Sequence, residues 1–499
     1  MRKEASLKKN FILNAILTLS GIIFPFISFP YVSDILGPDG TGKVDFAMSV
    51  VTYFSIFAQL GIPTYGIKAC AQVREDKQTL SKTVAELMVI NLFMTAMAFI
   101  VFIPTLLLIP KFSSEKNLLI IMSSLMVFNA IGVEYLYRGL EQYSYITKRS
   151  VAFKFIAMLS MFILIKSKSD YVIYGAITIF ATSASNVLNF FNSRKYISFR
   201  KIGVLNIRKH LKPVGVYFAM SCATTIYLNL DKAMLGFLCT DTDVGYYGAA
   251  VKIKTILVAL VTSLGAVILP RASYYVEQGR MDEFKRISKK ALDFVVLASV
   301  PLTVFFSFSA LDSIIALSGN KYMGSVVPMQ VIMPTLILIG ITNIFGIQIM
   351  TPLGKEKYVL YSEIAGAIAD LLLNAILIPQ YKATGAAIGT LIAEFVVLIV
   401  QYHFIKKEYG NEMLGEAIKL KTYWKKLSGA FISILPAVLA FIIPYESIIN
   451  HDRLRSFIRL GFSAVLYFVT YAVFLAVTKD AIFIESYKTI FEKFGKSKK

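Results

Sequence analysis

The chain has 499 residues, of which 56% are hydrophobic and 17% are charged. Soluble domains carry roughly 25% charged residues, so this composition excludes an ordinary soluble protein. The formal net charge of +21 would suit a nucleic-acid partner, but the distribution of the basic residues along the chain argues against one.

Apolar stretches long enough to cross a membrane recur along almost the whole chain, and we count fourteen. A crossing helix needs roughly 20 mainly apolar residues, and in lipid a helix satisfies its own backbone hydrogen bonds. The predicted spans are 11–33, 44–66, 83–109, 117–137, 151–166, 171–192, 213–237, 247–269, 291–310, 327–351, 359–378, 383–405, 427–444 and 456–478. The sequence therefore predicts an all-α polytopic membrane protein with little mass outside the bilayer.

Most lysines and arginines fall on alternate segments between the spans, including the N-terminus and the long loops near 194–212, 270–290 and 406–426. Such a bias marks the cytoplasmic side of a membrane protein. Both termini are therefore predicted to be cytoplasmic. The basic loops are predicted to face membrane lipids and not nucleic acid.

A weak internal repeat divides the chain. The sequence GKVDFA at 42–47 begins the second span, and GYYGAA at 245–250 begins the eighth. The repeat predicts two pseudo-symmetric six-helix lobes, residues 1–212 and 213–405, followed by two helices and a cytoplasmic tail in 406–499. Because repeat-built transporters bind substrate between their repeats near the middle of the membrane, we expect a central cavity there.

Polar side chains in the first lobe are candidates to line that cavity. Asn14 and Gln59 lie in the first two spans, where they could meet sugar hydroxyls or bond to neighbouring helices. Glu134 and Arg138 lie four residues apart in and just after span 4, a spacing that favours a local salt bridge. Glu86, in span 3, is expected at the membrane surface.

Charged residues also fall inside spans of the second lobe, where an ionisable group is expensive and so a functional candidate. Asp231 and Lys232 lie in span 7, and Lys252 and Lys254 lie in span 8. The opposite charges could pair, or the lysines could attract an anion such as a diphosphate. Residues two apart on a helix point in nearly opposite directions, so Lys252 and Lys254 cannot both face one cavity. Lys252 is preferred, because it shares a helix face with the small residues Thr255 and Ala259.

Span 11 carries a polar stripe, because Glu363, Asp370 and Asn374 share one helix face. The stripe could face a water-filled cavity and exchange a cation. The alternative is an acid at the membrane surface together with a hydrogen bond between helices. Glu394 is a further single acid in span 12, and the Gly-x-x-x-Gly spacing at 385–389 predicts close helix packing.

No motif for catalysis or metal binding accompanies these charges. The sequence GPDGTGK at 37–43 is similar to a phosphate-binding loop, but Val44 stands where Ser or Thr is required and no strand precedes it. The three cysteines and three histidines show no metal-ligand spacing. We therefore expect no metal, no cofactor and no enzymatic activity.

Five segments together resemble the bacterial polysaccharide flippases of the multidrug/oligosaccharidyl-lipid/polysaccharide exporter superfamily. They are LGPDGTGKV at 36–44, LGIPTYG at 60–66, NLDKAMLG at 229–236, LPRASY at 269–274 and PLGKEK at 352–357. The resemblance covers about residues 10–405. It implies two six-helix bundles around a central cavity, alternating access, and export of an undecaprenyl-diphosphate-linked oligosaccharide across a bacterial cytoplasmic membrane.

Asp231 and Lys252 match charged positions of the family pattern. In similar sequences Thr or Ser often follows that Asp, whereas here it is Lys232. Coupling to a proton or sodium gradient has been proposed for related members.

The leading hypothesis is a flippase for oligosaccharide repeat units in capsule or surface-antigen synthesis, acting beside polysaccharide polymerase machinery. The candidate substrate-binding residues are Lys252, Lys254, Lys232, Arg138, Asn14 and Gln59, and the candidates for a coupling cation are Asp370, Glu363, Asp231 and Glu394. One alternative is a cation-coupled multidrug antiporter of the same superfamily, which needs acids and not lysines in its cavity. The other is a membrane polymerase or transferase, for which no catalytic constellation is visible.

Overall fold

The computed structural model describes residues 7–199, 203–263, 265–410, 420–443, 445 and 449–484, and the regular structure in these ranges is helical. The chain divides into two compact units, Met1–Gly245 and Tyr246–Lys499. The lobe boundaries expected from the repeat stay a prediction. The first six residues and the end of the tail after 484, both predicted to be cytoplasmic, lie outside the described residues.

The first unit contains ten helices within the described ranges and the start of an eleventh. They are α1 (Leu7–Gln59), α2 (Ile62–Gln72), α3 (Lys77–Leu108), α4 (Pro110–Ser114), α5 (Lys116–Ile131), α6 (Glu134–Gly139), α7 (Tyr143–Leu164), α8 (Tyr171–Ile179), α9 (Asn186–Ser193), α10 (Arg208–Leu238) and α11 (Asp241–Thr262). A 3₁₀ turn, Lys168–Asp170, precedes α8, and a π-helical turn, Phe180–Ala184, follows it.

Asp76 begins α3 because its carboxylate accepts hydrogen bonds from the backbone N–H groups of Gln78 and Thr79. These groups are among the donors that a helix start leaves without an intrahelical partner. The Thr79 hydroxyl also donates to this carboxylate. The hydroxyl, together with the backbone donors, holds the pKa of Asp76 below its ordinary value.

The second unit contains the rest of α11 and nine further helices among its described residues. They are α12 (Gly265–Glu277), α13 (Met281–Phe308), α14 (Ala310–Ser318), α15 (Val326–Ile332), α16 (Thr335–Asn343), α17 (Glu356–Tyr409), α18 (Leu420–Ile432), α19 (Ile434–Ile442) and α20 (Asp452–Val477). A 3₁₀ turn, Asn320–Ser325, follows α14, and a π-helical segment, Ile344–Met350, follows α16.

Within the described part of the chain, eight helices are long and apolar enough to cross a membrane, or nine if the bent pair Asn320–Ile332 and Thr335–Met350 counts as one span. Two of the eight are much longer than one crossing needs, since Ile12–Gln72 has 61 residues and Glu356–Tyr409 has 54. Their helices are interrupted at Gly37 (φ 66°) and at Lys382 (φ 51°). The fold is therefore an all-helical polytopic membrane fold, whereas the count of fourteen spans stays a prediction.

The chain after the break in α1 packs tightly against the start of α11. A Cβ atom on Gly42 would lie 1.7 Å from the backbone oxygen of Asp241, and one on Gly245 would lie 2.0 Å from that of Pro38. Lys111 Nζ also donates to Asp241 Oδ1 at 2.7 Å. Gly42 and Gly245 are the residues that open the two copies of the predicted repeat. Each packs against the backbone four residues before the other, and the contact requires glycine at both positions.

Candidate functional site

A polar cavity of about 320 Å³ lies within the first unit. Five of the unit's helices contribute its main polar side chains, which are Gln59 from α1, Asn91 from α3, Asn129 from α5, Glu134 and Arg138 from α6, and Asn186 from α9. This size falls at the lower end of the range for small-molecule sites. The cavity therefore combines one charged pair with four carboxamides.

A break between two helices shapes this cavity. Helix α5 ends at Ile131 and α6 begins at Glu134, with Val133 at φ 37° between them. A β-branched residue rarely adopts this left-handed conformation. Irregular backbone at membrane depth is tolerated where it lies within protein or lines a cavity, and broken helices commonly form substrate sites in transporters.

Two arginines meet one carboxylate at the cavity. Arg138 donates to Glu134 Oε1 from Nε at 2.9 Å and from Nη2 at 2.8 Å, which confirms the predicted salt bridge. Arg149, from α7, approaches Glu134 Oε2 with Nη2 at 3.4 Å. Lys154 interacts electrostatically with Glu134 and donates to Ser20 Oγ at 3.0 Å. Positive charge therefore exceeds negative charge in this group.

Arg149 is buried, and its hydrogen-bonding capacity is only partly used. Its side chain is 3% exposed. Nε and Nη1 are buried without a hydrogen-bond partner among the described residues. A buried guanidinium with unused donors is costly, and an anionic oxygen would satisfy it. Sequence reasoning missed both Arg149 and Lys154, although Lys154 stood inside a predicted span.

The carboxamides around the cavity are held by hydrogen bonds. Asn186 Nδ2 donates to Asn129 Oδ1 at 3.2 Å, and Asn189 Nδ2 donates to Asn186 Oδ1 at 3.3 Å. Gln59 Nε2 donates to a serine hydroxyl at 2.8 Å. Asn91 Nδ2 donates to a backbone carbonyl at 3.4 Å. Of these five amides, only Gln59 was identified from the sequence.

Other predicted residues of the first unit lie apart from the lining of this cavity. Asn14 is exposed on α1. Lys232 forms an ion pair with Asp45 at 3.5 Å. The sequence had left open that the charges of spans 7 and 8 pair with one another, and here the acid comes from α1. Asp231 is buried, with 7% of its surface exposed.

The remaining predicted residues lie in the second unit. Lys252 and Lys254 are half-buried on α11, and Glu363 is half-buried on α17. Asp370 and Glu394 are buried, at 2% and 6% exposure.

The polar stripe of α17 packs against the second half of the same helix. A Cβ atom on Gly389 would lie 2.2 Å from Asn374 Oδ1 and 3.4 Å from Asp370 Oδ1, and one on Gly385 would lie 2.2 Å from a backbone oxygen of the first half. The close helix packing predicted from the glycine spacing is therefore confirmed.

Glu86 is buried among protein side chains, with 0% of its own side chain exposed. Its expected position at the membrane surface stays a prediction. It accepts hydrogen bonds from the backbone N–H of Asn206 at 2.7 Å and from His210 Nε2 at 2.9 Å, and it pairs with Lys209 Nζ at 2.8 Å. His210 Nδ1 lies 2.8 Å from the Tyr65 hydroxyl. These partners come from distant parts of the sequence, which explains why spacing alone did not reveal them.

No group of three or more His, Cys, Asp or Glu side chains that could hold a metal ion occurs among the residues described above. The charged and polar groups of the cavity are instead suited to binding an anionic, hydrogen-bonding molecule.

Residues 7–276 match the family model described as polysaccharide biosynthesis protein. The putative O-antigen transporter of Escherichia coli (strain K12) is 25% identical over 405 residues, which are 81% of this chain and 97% of that protein. The probable low-salt glycan biosynthesis flippase Agl15 of Haloferax volcanii is 19% identical over 282 residues, 56% of this chain and 54% of that protein.

Two solved structures share the fold. The lipid II flippase MurJ in an inward closed conformation matches with a TM-score of 0.72 and 14% identity, over 94% of this chain and 100% of that one. An inward-facing multidrug resistance MATE family transporter matches with a TM-score of 0.60 and 14% identity, over 80% and 97% of the two chains. These matches describe transporters and flippases, not enzymes. The chain belongs to the polysaccharide biosynthesis protein family.

Proposed function

We propose that this protein is a flippase that moves lipid-linked oligosaccharide repeat units from the inner to the outer leaflet of a bacterial cytoplasmic membrane, for capsule or surface-antigen synthesis. The observation that carries the proposal is the polar cavity of the first unit, which Glu134 and Arg138 line. Arg149 pairs with the same carboxylate from α7. Membership of the polysaccharide biosynthesis protein family supports the same function.

The two arginines would bind the diphosphate of the substrate. A diphosphate carries several acceptor oxygens, and guanidinium groups bind such oxygens in a planar, often bidentate arrangement. The unused donors of Arg149 are available for this role. Because one acid faces two guanidinium groups, the site favours an anion over the cationic compounds that a multidrug antiporter would carry.

The arrangement of membrane spans in this proposal is the one predicted from the sequence. Fourteen spans in two lobes, 1–212 and 213–405, would surround a central cavity and alternate between inward-open and outward-open states, with both termini cytoplasmic. Residues 406–499 would add two helices and a tail. The polyprenyl chain would stay in lipid while the sugar and diphosphate cross through the polar interior, and a polymerase would receive the exported unit.

The other predicted residues keep secondary roles in this proposal. We assign Lys252, Lys254, Lys232, Asn14 and Gln59 as further substrate contacts, and Asp370, Glu363, Asp231 and Glu394 as candidates for taking up a coupling proton or sodium ion. The buried acids Asp370 and Glu394 fit such a role best, because a carboxylate in the membrane interior is costly unless a cation joins it.

The test is to deplete the protein in cells and measure polyprenyl-diphosphate lipids by mass spectrometry. The depleted cells are complemented with wild type, with Arg149→Gln, or with Arg74→Gln. Arg74 is a matched control, because it is an arginine whose ion pair, at 3.0 Å, is with Glu141 and not with Glu134, and its side chain is 44% exposed.

We expect a complete oligosaccharide unit to accumulate on the inner leaflet after depletion and with Arg149→Gln, but not with Arg74→Gln. Normal export by Arg149→Gln at wild-type protein levels would contradict the role of the arginine. An absence of accumulation, together with new sensitivity to cationic dyes, would identify an antiporter instead. Accumulation on the outer leaflet would indicate a polymerase or ligase.

A further inference from the structure

Four carboxamides from four different helices face the same small cavity that holds the Glu134–Arg138 pair. Gln59, Asn91, Asn129 and Asn186 lie on α1, α3, α5 and α9. Each carboxamide can donate two hydrogen bonds and accept two. These four carboxamides form one wall of the cavity, and this wall carries no charge. It complements ligand groups that both donate and accept hydrogen bonds, such as hydroxyl or acetamido groups.

The carboxamide of Asn91 provides the sharpest observation. Asn91 is 3% exposed and lines the cavity. Its Nδ2 donates to the Ala130 carbonyl at 3.4 Å. Its Oδ1 is buried and accepts no hydrogen bond from any residue that the structure describes. A buried acceptor without a donor is costly, and a hydroxyl or N–H of a ligand would satisfy it.

The neighbouring amides are fixed in position. Asn186 donates to Asn129 and accepts from Asn189, so its orientation is set from both sides. Gly132, in the break before α6, allows this arrangement, because a Cβ there would lie 2.5 Å from Asn186 Cγ. The wall is therefore preformed, and it lies beside the charged pair rather than apart from it.

We infer that the cavity contains a sugar subsite next to the diphosphate site, and that it selects a neutral sugar bearing hydroxyl or acetamido groups. The inference rests on the proposed function and specifies its substrate class. An acidic sugar is disfavoured, because its carboxylate would face the Asn91 oxygen, and in the proposed function the two arginines are occupied by Glu134 and by the diphosphate. Asn91 is the specificity-determining residue, because its Oδ1 needs a hydrogen-bond donor and only the sugar part of the substrate carries one.

The test compares the affinities of the purified full-length protein, in nanodiscs, for three water-dispersible probes. They are a short-chain polyprenyl diphosphate without sugar, the same lipid carrying one N-acetylhexosamine, and the same lipid carrying one uronic acid. Each is measured with wild type and with Asn91→Leu, a replacement of similar shape without polar atoms. Asn192→Leu is the matched control, because its amide donates to Tyr137 and does not line the cavity.

We expect wild type to bind the N-acetylhexosamine lipid about tenfold more tightly than the bare diphosphate, which corresponds to one or two satisfied hydrogen bonds. The uronic acid lipid should show no such gain. Asn91→Leu should lose most of the tenfold preference while its affinity for the bare diphosphate stays unchanged, and Asn192→Leu should keep both affinities.

Equal binding of all three probes by wild type would overturn the sugar subsite and leave the proposed function standing. A parallel loss of affinity for every probe in Asn91→Leu would mark a general defect of that variant, and Asn129→Leu then takes its place with the same expected loss of preference. A full tenfold preference in a variant that still binds the bare diphosphate would overturn the subsite. If wild type bound no diphosphate probe at all, the proposed function itself would fail.

Discussion

Replacing Gly42 by alanine should force apart the contact between the start of α11 and the chain after the break in α1. The added Cβ would lie 1.7 Å from the backbone oxygen of Asp241 and 2.8 Å from the backbone nitrogen of Gly245. Ordinary contacts of a Cβ atom lie at 3.4–4 Å, and real Cβ atoms essentially never approach another atom within 3.0 Å. The two segments must therefore separate by more than 1 Å, since a backbone oxygen cannot swing away like a side chain.

The cost of that separation can be estimated from the structure. Overpacking of this kind costs about 1–3 kcal/mol. A shift of this size also lengthens the 2.7 Å hydrogen bond from Lys111 to Asp241 beyond hydrogen-bonding distance. The pair itself is partly exposed and adds at most about 1 kcal/mol. The two costs together come to about 1–4 kcal/mol, so the closed contact should become roughly 5- to 800-fold less populated relative to the separated arrangement.

The assay uses the natural Cys239, which lies two residues before Asp241 and is half-buried. In a Cys222→Ser background, its rate of labelling by a membrane-impermeant thiol reagent should rise by at least fivefold in Gly42→Ala. Gly215→Ala is the control, because a Cβ at Gly215 meets nothing within 4 Å. If Cys239 in Gly42→Ala were labelled at the same rate as in Gly215→Ala, and the two variants had the same melting temperature, the inference that this contact depends on glycine would be refuted.

Three further substitutions test buried contacts by thermal unfolding of the purified protein in detergent, each against the glycine control above. Glu86→Gln should lower the free energy of unfolding by about 2–4 kcal/mol, because it removes a fully buried charge that several donors share. Asp312→Asn should cost about 2–3 kcal/mol, since Asp312 is 1% exposed and accepts from two donors of Arg459: Nη2, and Nε, whose single N–H is shared between the two carboxylate oxygens at 3.0 Å each. Gly389→Ala should cost about 1–3 kcal/mol, because its Cβ would lie 2.2 Å from Asn374 Oδ1. Unchanged melting in any one of them would show that its contact does not form in solution.

Composition and local spacing were enough to predict the membrane fold and the contacts that lie close together in sequence. Apolar stretches predicted helices because lipid leaves the backbone little other choice. The four-residue spacing of Glu134 and Arg138 predicted their salt bridge, and the spacing of Gly385 and Gly389 predicted close packing. Each of these rules acts within one turn or two of a helix.

Contacts between distant segments could not be predicted in this way. Arg149 approaches Glu134 from another helix, and the His210–Glu86 hydrogen bond joins residues 124 positions apart. A single sequence contains no signal for which helix faces which. Asn91 illustrates the limit, since one polar residue in an apolar span is equally consistent with a helix contact and with a binding site.

The hydrogen bonds from the segment before α10 to helix α3 affect how the chain could be divided. The backbone N–H of Ser198 donates to Ser81 Oγ at 3.0 Å, and that of Asn206 donates to Glu86 at 2.7 Å. Between them, a Cβ atom at Gly203 would have no neighbour within 4 Å, and the next residue is exposed. A chain cut at this point would leave both new ends attached to one helix.

Two fragments, 1–203 and 204–499, should therefore assemble into a working protein when they are produced together in one cell, and neither should work alone. Restored export in cells that make both fragments would be the readout. The same position would then accept an inserted reporter domain, so that the two halves of the polypeptide could be labelled and followed separately during membrane insertion.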